Sequence, residues 1–166
     1  MRFLVTGLPR SRTAWLASFL RCPHEPLTYC ATLDDLGRIA GTGGCCDTVA
    51  LLLWKRIRAK WPSARFVVVR RNPKEVRASL RAIGLPASYL GAALQSLDEA
   101  CTTAVSPALV VDYGDLNDRL PEIWQWCWGT PMRDCADALK HCRITCDHNE
   151  LLSRLDPARL KSLMES

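Results

Sequence analysis

Short apolar runs separated by amphipathic stretches dominate the chain. The runs lie at the start of the sequence, at 64–70 and at 108–112, and they lack the polar alternation of a half-exposed strand. Uninterrupted apolar runs of this length are typical of strands buried on both faces of a parallel sheet. The stretches between them predict helices at 13–20, 49–61, 87–100 and 116–128. This alternation predicts a three-layer α/β/α domain with a mostly parallel central sheet, in which 64–70 is a central strand.

The remaining segments give weaker patterns. The glycine run at 41–44 predicts a flexible connection. Residues 144–147 can add an edge strand, and a last helix is predicted at 156–164, with Pro157 at its first position. At 166 residues the chain fits a single domain spanning 1–166, large enough to bury a core without metal or disulfides.

The first strand runs through a polar turn into a helix. We expect Gly7 to let the backbone turn, and the free amides at the start of the helix to favour an anion. Side-chain donors for anion oxygens follow at Arg10, Ser11, Arg12 and Thr13. A Walker loop is excluded because Arg12 stands where its second glycine would be and no Lys precedes Thr13. The turn predicts a phosphate-sized site that is not an ordinary ATPase loop.

A second junction of this kind follows the strand at 64–70. Asn72 is a good helix cap and Pro73 takes a permitted first position, so a helix is predicted to start at about Pro73. Arg71 leaves the end of the strand, and Ser79 lies nearly two helical turns further on. Both side chains can meet one phosphate if a ligand lies along the flank of that helix.

Three segments resemble motifs of the sulfotransferase family. Gly7-x-Pro9-Arg10-Ser11-x-Thr13-x-Trp15-Leu16 resembles the family's 5'-phosphosulfate loop, P-[KR]-S-G-T-x-W-[LV], with Arg12 replacing the loop glycine. The segment 71–79 resembles the 3'-phosphate motif, R-[DN]-P-x-[ED]-V-x-x-S. Residues 113–116 resemble the family's Y-E-D-L, with Gly114 in place of the Glu. Nothing resembles the C-terminal R-K-G phosphate clamp.

The resemblance implies a P-loop-like sulfotransferase fold. It also implies transfer of a sulfuryl group from 3'-phosphoadenosine 5'-phosphosulfate to a hydroxyl or amine, leaving adenosine 3',5'-bisphosphate and requiring no metal. By the same resemblance Arg10 stabilises charge on the transferring group, Trp15 stacks on adenine and Tyr113 approaches it. Arg71 and Ser79 bind the 3'-phosphate. The 5'-phosphosulfate would be held by Gly7, Pro9, Arg10, Ser11, Arg12, Thr13 and Ala14.

The acceptor also needs a base to take its proton. The loop after the first helix carries His24 and Glu25 between two prolines, and a loop beyond the carboxyl ends of parallel strands can face the reacting centre. Either residue can serve as the base, and the sequence does not choose between them.

Composition and charge limit the classes of binding partner that we expect. The net charge is +5, and the basic residues cluster near 10–21, 55–60 and 65–81, which suits an anionic ligand. Nucleic acid is the rival explanation, but no basic helix, zinc-finger spacing or RNP motif accompanies the clusters. We therefore expect no nucleic-acid or membrane partner, and a monomer or weak homodimer.

The nine cysteines are an odd number, and no secretory signal begins the sequence. These features predict a reduced, cytoplasmic protein. The Cys and His residues at 127–148 invite a zinc interpretation, but their spacing contains no C-x-x-C, so free buried thiols are favoured.

Two other functions compete with sulfuryl transfer. A nucleotide or small-molecule kinase with a degenerate P-loop would use ATP and magnesium, but the Walker Lys is missing and no acidic strand end is convincing. A catalytically silent nucleotide-binding protein is favoured by Arg12, by Gly114 and by the missing clamp.

Overall fold

The computed structural model describes residues 1–84, 90–102, 108–144, Ala158 and Leu163. Within these residues the chain forms a four-stranded sheet. Its strands are β1 (Phe3–Gly7), β2 (Gly44–Cys46), β3 (Arg65–Arg70) and β4 (Ala108–Asp112). They lie in the order β2-β1-β3-β4, and every pairing is parallel. The predicted parallel sheet is confirmed, and β3 is a central strand between β1 and β4.

Seven α-helices connect and cover the strands in this part of the chain. They are α1 (Thr13–Leu20), α2 (Leu33–Ala40), α3 (Ala50–Lys60), α4 (Pro73–Ala82), α5 (Leu90–Thr102), α6 (Leu120–Trp128) and α7 (Cys135–Lys140). Helix α1 has its predicted bounds, and α4 starts at Pro73 as predicted. Helix α6 begins four residues later than 116, because the 3-10 turn at Tyr113–Asp115 continues into a turn over residues 116–119, where the Asp118 and Arg119 amides donate to the Asp115 carbonyl. Most of the predicted edge strand at 144–147 and final helix at 156–164 lies outside the described residues.

Two apolar clusters lie on opposite faces of the sheet. One is formed by α2, α3, α4 and α5 over side chains such as Leu4, Phe66 and Val68. The other is formed by α1, α6 and α7 over the alternate strand positions, including Val5 and Val67. Because successive strand side chains point to opposite faces, each strand contributes to both clusters. The three-layer arrangement is confirmed.

A flexible connection was predicted at 41–44, and this prediction was wrong for Gly44, the last residue of the segment. Gly44 begins β2, and the Arg2 amide donates to the Gly43 carbonyl at 2.6 Å. A Cβ at Gly44 would lie 2.3 Å from the Phe3 carbonyl oxygen, so only glycine lets β2 approach β1 here. The glycine run therefore predicts a loop from the sequence, whereas in the structure Gly44 permits close pairing of two strands.

Gly7 gives a stability prediction. A Cβ at this position would lie 2.5 Å from the Val69 carbonyl oxygen on β3, which is main chain and cannot move aside cheaply. We expect Gly7→Ala to lower the free energy of unfolding by about 1–3 kcal/mol, as overpacking of a core does. Urea denaturation measures it. Gly91→Ala on α5, where nothing lies within 4 Å of the added Cβ, is the matched control and should not destabilise the protein. Equal stability of the two variants would contradict the packing argument.

Candidate functional site

Side chains from three strand ends meet at the carboxyl edge of the sheet. The loop 8–12 follows β1, Arg71 follows β3 and Tyr113 follows β4. Parallel strands end at the same edge, so residues far apart in sequence are delivered to one place. The fold therefore brings the two predicted anion-binding junctions together.

The loop backbone turns at arginines. Arg10 has φ 65° and Arg12 has φ 62°, in the left-handed region that favours glycine, whereas Gly7 lies inside β1 and is required there by strand packing. The expectation that Gly7 makes the turn was wrong. The left-handed conformation costs a non-glycine residue roughly 1–2 kcal/mol, so the rest of the loop must compensate for two such residues.

The start of α1 has unused main-chain donors. Its first internal hydrogen bond runs from the Leu16 amide to the Arg12 carbonyl, and no side chain caps the helix. The amides of residues 13–15 precede that bond and point toward the loop, where the helix dipole adds partial positive charge. This geometry suits an anion between the loop and the helix.

Arg10 joins the loop to both members of the second motif. Its Nε donates to Ser79 Oγ at 3.1 Å, and Arg71 Nη1 donates to the Arg10 main-chain carbonyl. The Arg71 side chain is only 14% exposed and also meets Glu75, with 3.5 Å between Nε and Oε2. The cap of α4 fixes this geometry, because Asn72 accepts from the Lys74 amide at 2.9 Å. Arg71 and Ser79 therefore face the same loop residue.

Two guanidinium groups contact the Tyr113 ring. Arg71 lies 4.1 Å from the ring centroid, and Arg12 lies 5.0 Å from it. Arg12 also lies 5.7 Å from the centroid of Trp15 and donates to Asn117 Oδ1 at 3.2 Å. The resulting surface carries three arginines, counting Arg10, and two aromatic rings around the loop.

Buried hydroxyls lie under this surface. Ser11 Oγ and Thr6 Oγ1 are both fully buried, and neither has a hydrogen-bond partner among the described residues. An unsatisfied buried hydroxyl costs about 1–3 kcal/mol. An oxygen of a loop-bound anion would supply the missing partner for Ser11.

The structure thus gathers most of the predicted site residues into one surface, here called the loop site. No family model matches this chain. No curated protein matches it either. The loop site is made of Arg10, Ser11, Arg12, Thr13, Ala14, Trp15, Arg71, Ser79 and Tyr113; Gly7 and Pro9 adjoin it from the end of β1.

His24 and Glu25 border the loop site on the β2 side. His24 pairs in parallel with Cys46 beyond the edge of β2, which places its ring beside α1. Its Nε2 lies 3.4 Å from Thr13 Oγ1 and 3.4 Å from Glu25 Oε1. Glu25 is 5% exposed, and its carboxylate accepts from both the amide and the hydroxyl of Thr48 at 3.1 Å. Both candidate bases are therefore next to the loop, and His24 is the more accessible.

The sequence offers Asp47 or Thr48 as a cap for the helix predicted at 49–61, and the structure gives Asp47 a second role that the sequence did not indicate. Asp47 directly follows β2, is fully buried, and accepts from the Leu27 amide at 2.8 Å and the Ala50 amide at 3.0 Å. One carboxylate thus fixes both the loop that carries His24 and the start of α3. Burial, and secondarily the neighbouring Glu25, raises the pKa of Asp47 well above its usual range. Recognising Cys45 and Cys46 as a strand would have revealed Asp47 as an acidic strand end.

Asp47 gives a pH-dependent prediction. Because its pKa is higher in the folded protein than in the unfolded chain, its contribution favours folding at low pH and is lost as pH rises from about 4 through the raised value. Asp47→Asn removes the titration but leaves one amide donor without an acceptor, which costs about 1–3 kcal/mol. We expect the variant to be less stable at pH 5 and the gap to narrow toward pH 8, as urea denaturation across that range would measure. A constant gap would contradict the assignment.

The other candidate chemistry stays outside the loop site. None of the seven cysteines whose side chains the structure describes forms a disulfide, and Cys45 and Cys46 are buried in β2 rather than placed in an exposed loop. No cluster of three or more potential metal ligands occurs in the described ranges.

A cleft of about 600 Å³ lies at the opposite, amino edge of the sheet, between Arg2, Arg65 and Trp128. Among the described helices, none has the length and apolar character needed to cross a bilayer.

Proposed function

We propose that this chain binds 3'-phosphoadenosine 5'-phosphosulfate and transfers its sulfuryl group to a hydroxyl or amine acceptor. The observation that carries the proposal is the meeting of the two motifs at Arg10. Its side chain reaches Ser79, and its carbonyl holds Arg71, although these residues are 69 and 61 positions away in sequence. A nucleotide with phosphates at both ends of its ribose needs two anion sites close together, and the loop site offers them.

The charges and donors suit two anionic groups. The α1 amides and Ser11 would hold the 5' group, and Arg71 with Ser79 would hold the 3'-phosphate. Arginine is well matched to such oxygens because its planar fork donates two parallel hydrogen bonds. Near the loop, Glu75 offsets part of the Arg71 charge, while Arg10 and Arg12 add two more positive charges. The loop site therefore keeps a net positive charge, which favours a ligand that carries two anionic groups.

Catalysis would fall to Arg10 and His24. When bound, the nucleotide supplies an activated sulfuryl group whose S–O bond breaks at the bridging phosphate oxygen, where negative charge grows. A guanidinium fixed at the loop stabilises that charge more in the transition state than in the ground state. His24 Nε2, beside Thr13 at the start of α1, would accept the proton that the acceptor loses. Glu25 Oε1, held by Thr48, lies 3.4 Å from the same nitrogen and would stabilise the imidazolium that forms when His24 takes the proton.

The kinase alternative gains little from the structure. A magnesium-dependent phosphoryl transfer needs a carboxylate free to meet the metal beside the loop. Asp47 lies at the appropriate strand end, but it is fully buried and each of its oxygens accepts a main-chain amide. Asp112 is engaged with Arg70 in a two-pronged ion pair, with N–O distances of 2.6 and 2.8 Å.

A catalytically silent nucleotide-binding protein is the second candidate. It is favoured by the Arg12 side chain, which lies over the Trp15 and Tyr113 rings that the base would contact. Such a protein would bind the nucleotide without turnover.

Thermal denaturation separates these functions. We expect adenosine 3',5'-bisphosphate to raise Tm, since a ligand at 100 times its Kd stabilises a protein by about 2.7 kcal/mol. ATP with magnesium should have a smaller effect at the same concentration. Stabilisation by ATP and magnesium alone would favour the kinase. A shift with the bisphosphate, without its release from the phosphosulfate in the presence of simple phenols and amines, would favour the silent protein.

A further inference from the structure

Among the residues of the loop site, Arg12 is the one whose conformation and contacts are least suited to an open nucleotide site. It takes the left-handed conformation that suits glycine, and it begins α1 without capping it. Its guanidinium turns away from the interior of the loop, toward the Trp15 and Tyr113 rings. The position therefore bears backbone strain, while its side chain makes contacts with aromatic rings.

Phe19 and Arg12 both pack against the Trp15 ring. The ring of Trp15 stacks nearly parallel on Phe19, with centroids 6.1 Å apart and 16° between the planes. Phe19 is 1% exposed and also contacts Trp124 edge-on, so it is fixed in the core. The Arg12 guanidinium lies over the Trp15 ring, 5.7 Å from its centroid, and because Phe19 packs on one face of that ring we assign the guanidinium to the other face. A purine stacking on Trp15 needs that same face.

Asn117 holds the arginine in place. Its Oδ1 accepts from Arg12 Nη1 at 3.2 Å, across the 3-10 turn that follows β4. Tyr113 lies in that turn, 5.0 Å from the guanidinium. Two rings and one amide therefore hold Arg12 over the surface where a base would stack.

We propose that Arg12 is an internal latch of the loop site. Its guanidinium substitutes for the nucleobase beside Trp15 and Tyr113, and a purine ligand must displace it. The inference rests on the proposed function, because it takes the base of an adenine nucleotide as the displacing group. Base stacking on an aromatic ring is stronger than an exposed cation–π contact, so a purine can displace the latch at a cost in affinity. The latch would lower the affinity for ligands that carry a base, and it would not change the affinity for their phosphate groups.

Asn117→Ala tests the latch without changing the loop or its charge. We expect the variant to bind adenosine 3',5'-bisphosphate about two- to tenfold more tightly than the wild type, since one exposed hydrogen bond to a charged group is lost from the latched state. Its affinity for inorganic pyrophosphate, which has no base, should be unchanged. Asp118→Asn, at the next exposed position, is the control: removing its negative charge can raise both affinities together, but their ratio should stay that of the wild type. Isothermal titration calorimetry measures both ligands.

The outcomes separate the latch from the function. Tighter binding of the nucleotide alone supports the latch. Equal nucleotide affinity in wild type and Asn117→Ala overturns the latch and leaves the proposed function standing. Weaker nucleotide binding by the variant overturns it as well, and makes Arg12 a ligand of the base. Absence of nucleotide binding by both proteins, and by Arg12→Gly, overturns the latch together with the proposed function.

Discussion

Replacing Arg10 with alanine is expected to lower sulfuryl transfer about 10²–10³-fold while weakening nucleotide binding much less. The expectation follows from the position of Arg10, at the point where the loop, Ser79 and Arg71 meet. Charge that develops on the leaving phosphate oxygen would be stabilised there by a guanidinium already fixed in place. Loss of an interaction made in the transition state lowers kcat, whereas loss of uniform binding raises KM alone.

The measurement is release of adenosine 3',5'-bisphosphate from the phosphosulfate with a simple phenol as acceptor, compared with the dissociation constant of the bisphosphate. Arg77→Ala, exposed on α4, removes the same charge away from the loop and is the control. Arg10→Lys should fall between alanine and wild type, because it keeps the charge without the planar fork. A loss of affinity with unchanged kcat would make Arg10 a binding residue only.

The sequence predicted the scaffold of this site well because local signals agreed with one another. The β3 run is apolar and β-branched, and Asn72 with Pro73 is a strong helix start, so the end of β3 and the start of α4 were both predicted correctly. Each signal depends on residues within a few positions, and the parallel arrangement then follows from the helices that cross over between successive strands. The placement of Arg71 and Ser79 on one flank was accessible from helical geometry alone.

Other features depend on contacts distant in sequence. Gly7 looked like a turn residue, but its requirement comes from the Val69 carbonyl on a neighbouring strand. Gly44 looked like part of a loop because three residues of β2 are too few for a periodic pattern. Because β2 was not predicted, Asp47 was expected only as a possible helix cap and not as an acidic residue at a strand end. Pattern reasoning is weakest where a strand is short and where glycine permits close packing rather than a turn.

The side-chain network of the loop site was not predictable at this level. The sequence placed Arg10 and Arg71 in separate motifs and did not indicate that Arg71 would donate to the Arg10 carbonyl. In place of a loop glycine, the Arg12 side chain must either turn outward or narrow the loop, and residue spacing does not choose between these two arrangements. The structure shows it turned outward, over two rings. Rotamer choice of this kind depends on the whole surrounding surface and not on residue spacing.

The second large effect is expected at Arg71. Arg71→Ala should abolish the preference for adenosine 3',5'-bisphosphate over the 5'-monophosphate, because the lost contact is a charge-assisted one to the 3'-phosphate. The side chain is only 14% exposed, and hydrogen bonds to charged groups contribute about 1.5–3 kcal/mol, or roughly 10- to 150-fold in the affinity ratio. The ratio of the two dissociation constants, measured by calorimetry, reports this directly and is insensitive to a uniform loss of binding.

Arg70→Ala is the matched control for this ratio. Arg70 is the preceding residue and has the same charge, but its guanidinium pairs with Asp112 at the exposed end of β4. Removing it should leave the preference intact. Arg71 also supports the loop backbone through the Arg10 carbonyl, so its loss can weaken both nucleotides together; only a change in their ratio bears on the 3'-phosphate. Ser79→Ala should reduce the same ratio by less, because a neutral hydroxyl contributes less than a guanidinium. An unchanged ratio in Arg71→Ala would show that the 3'-phosphate does not bind at this flank of α4. The proposal would then lose its strongest argument that the two motifs bind one nucleotide.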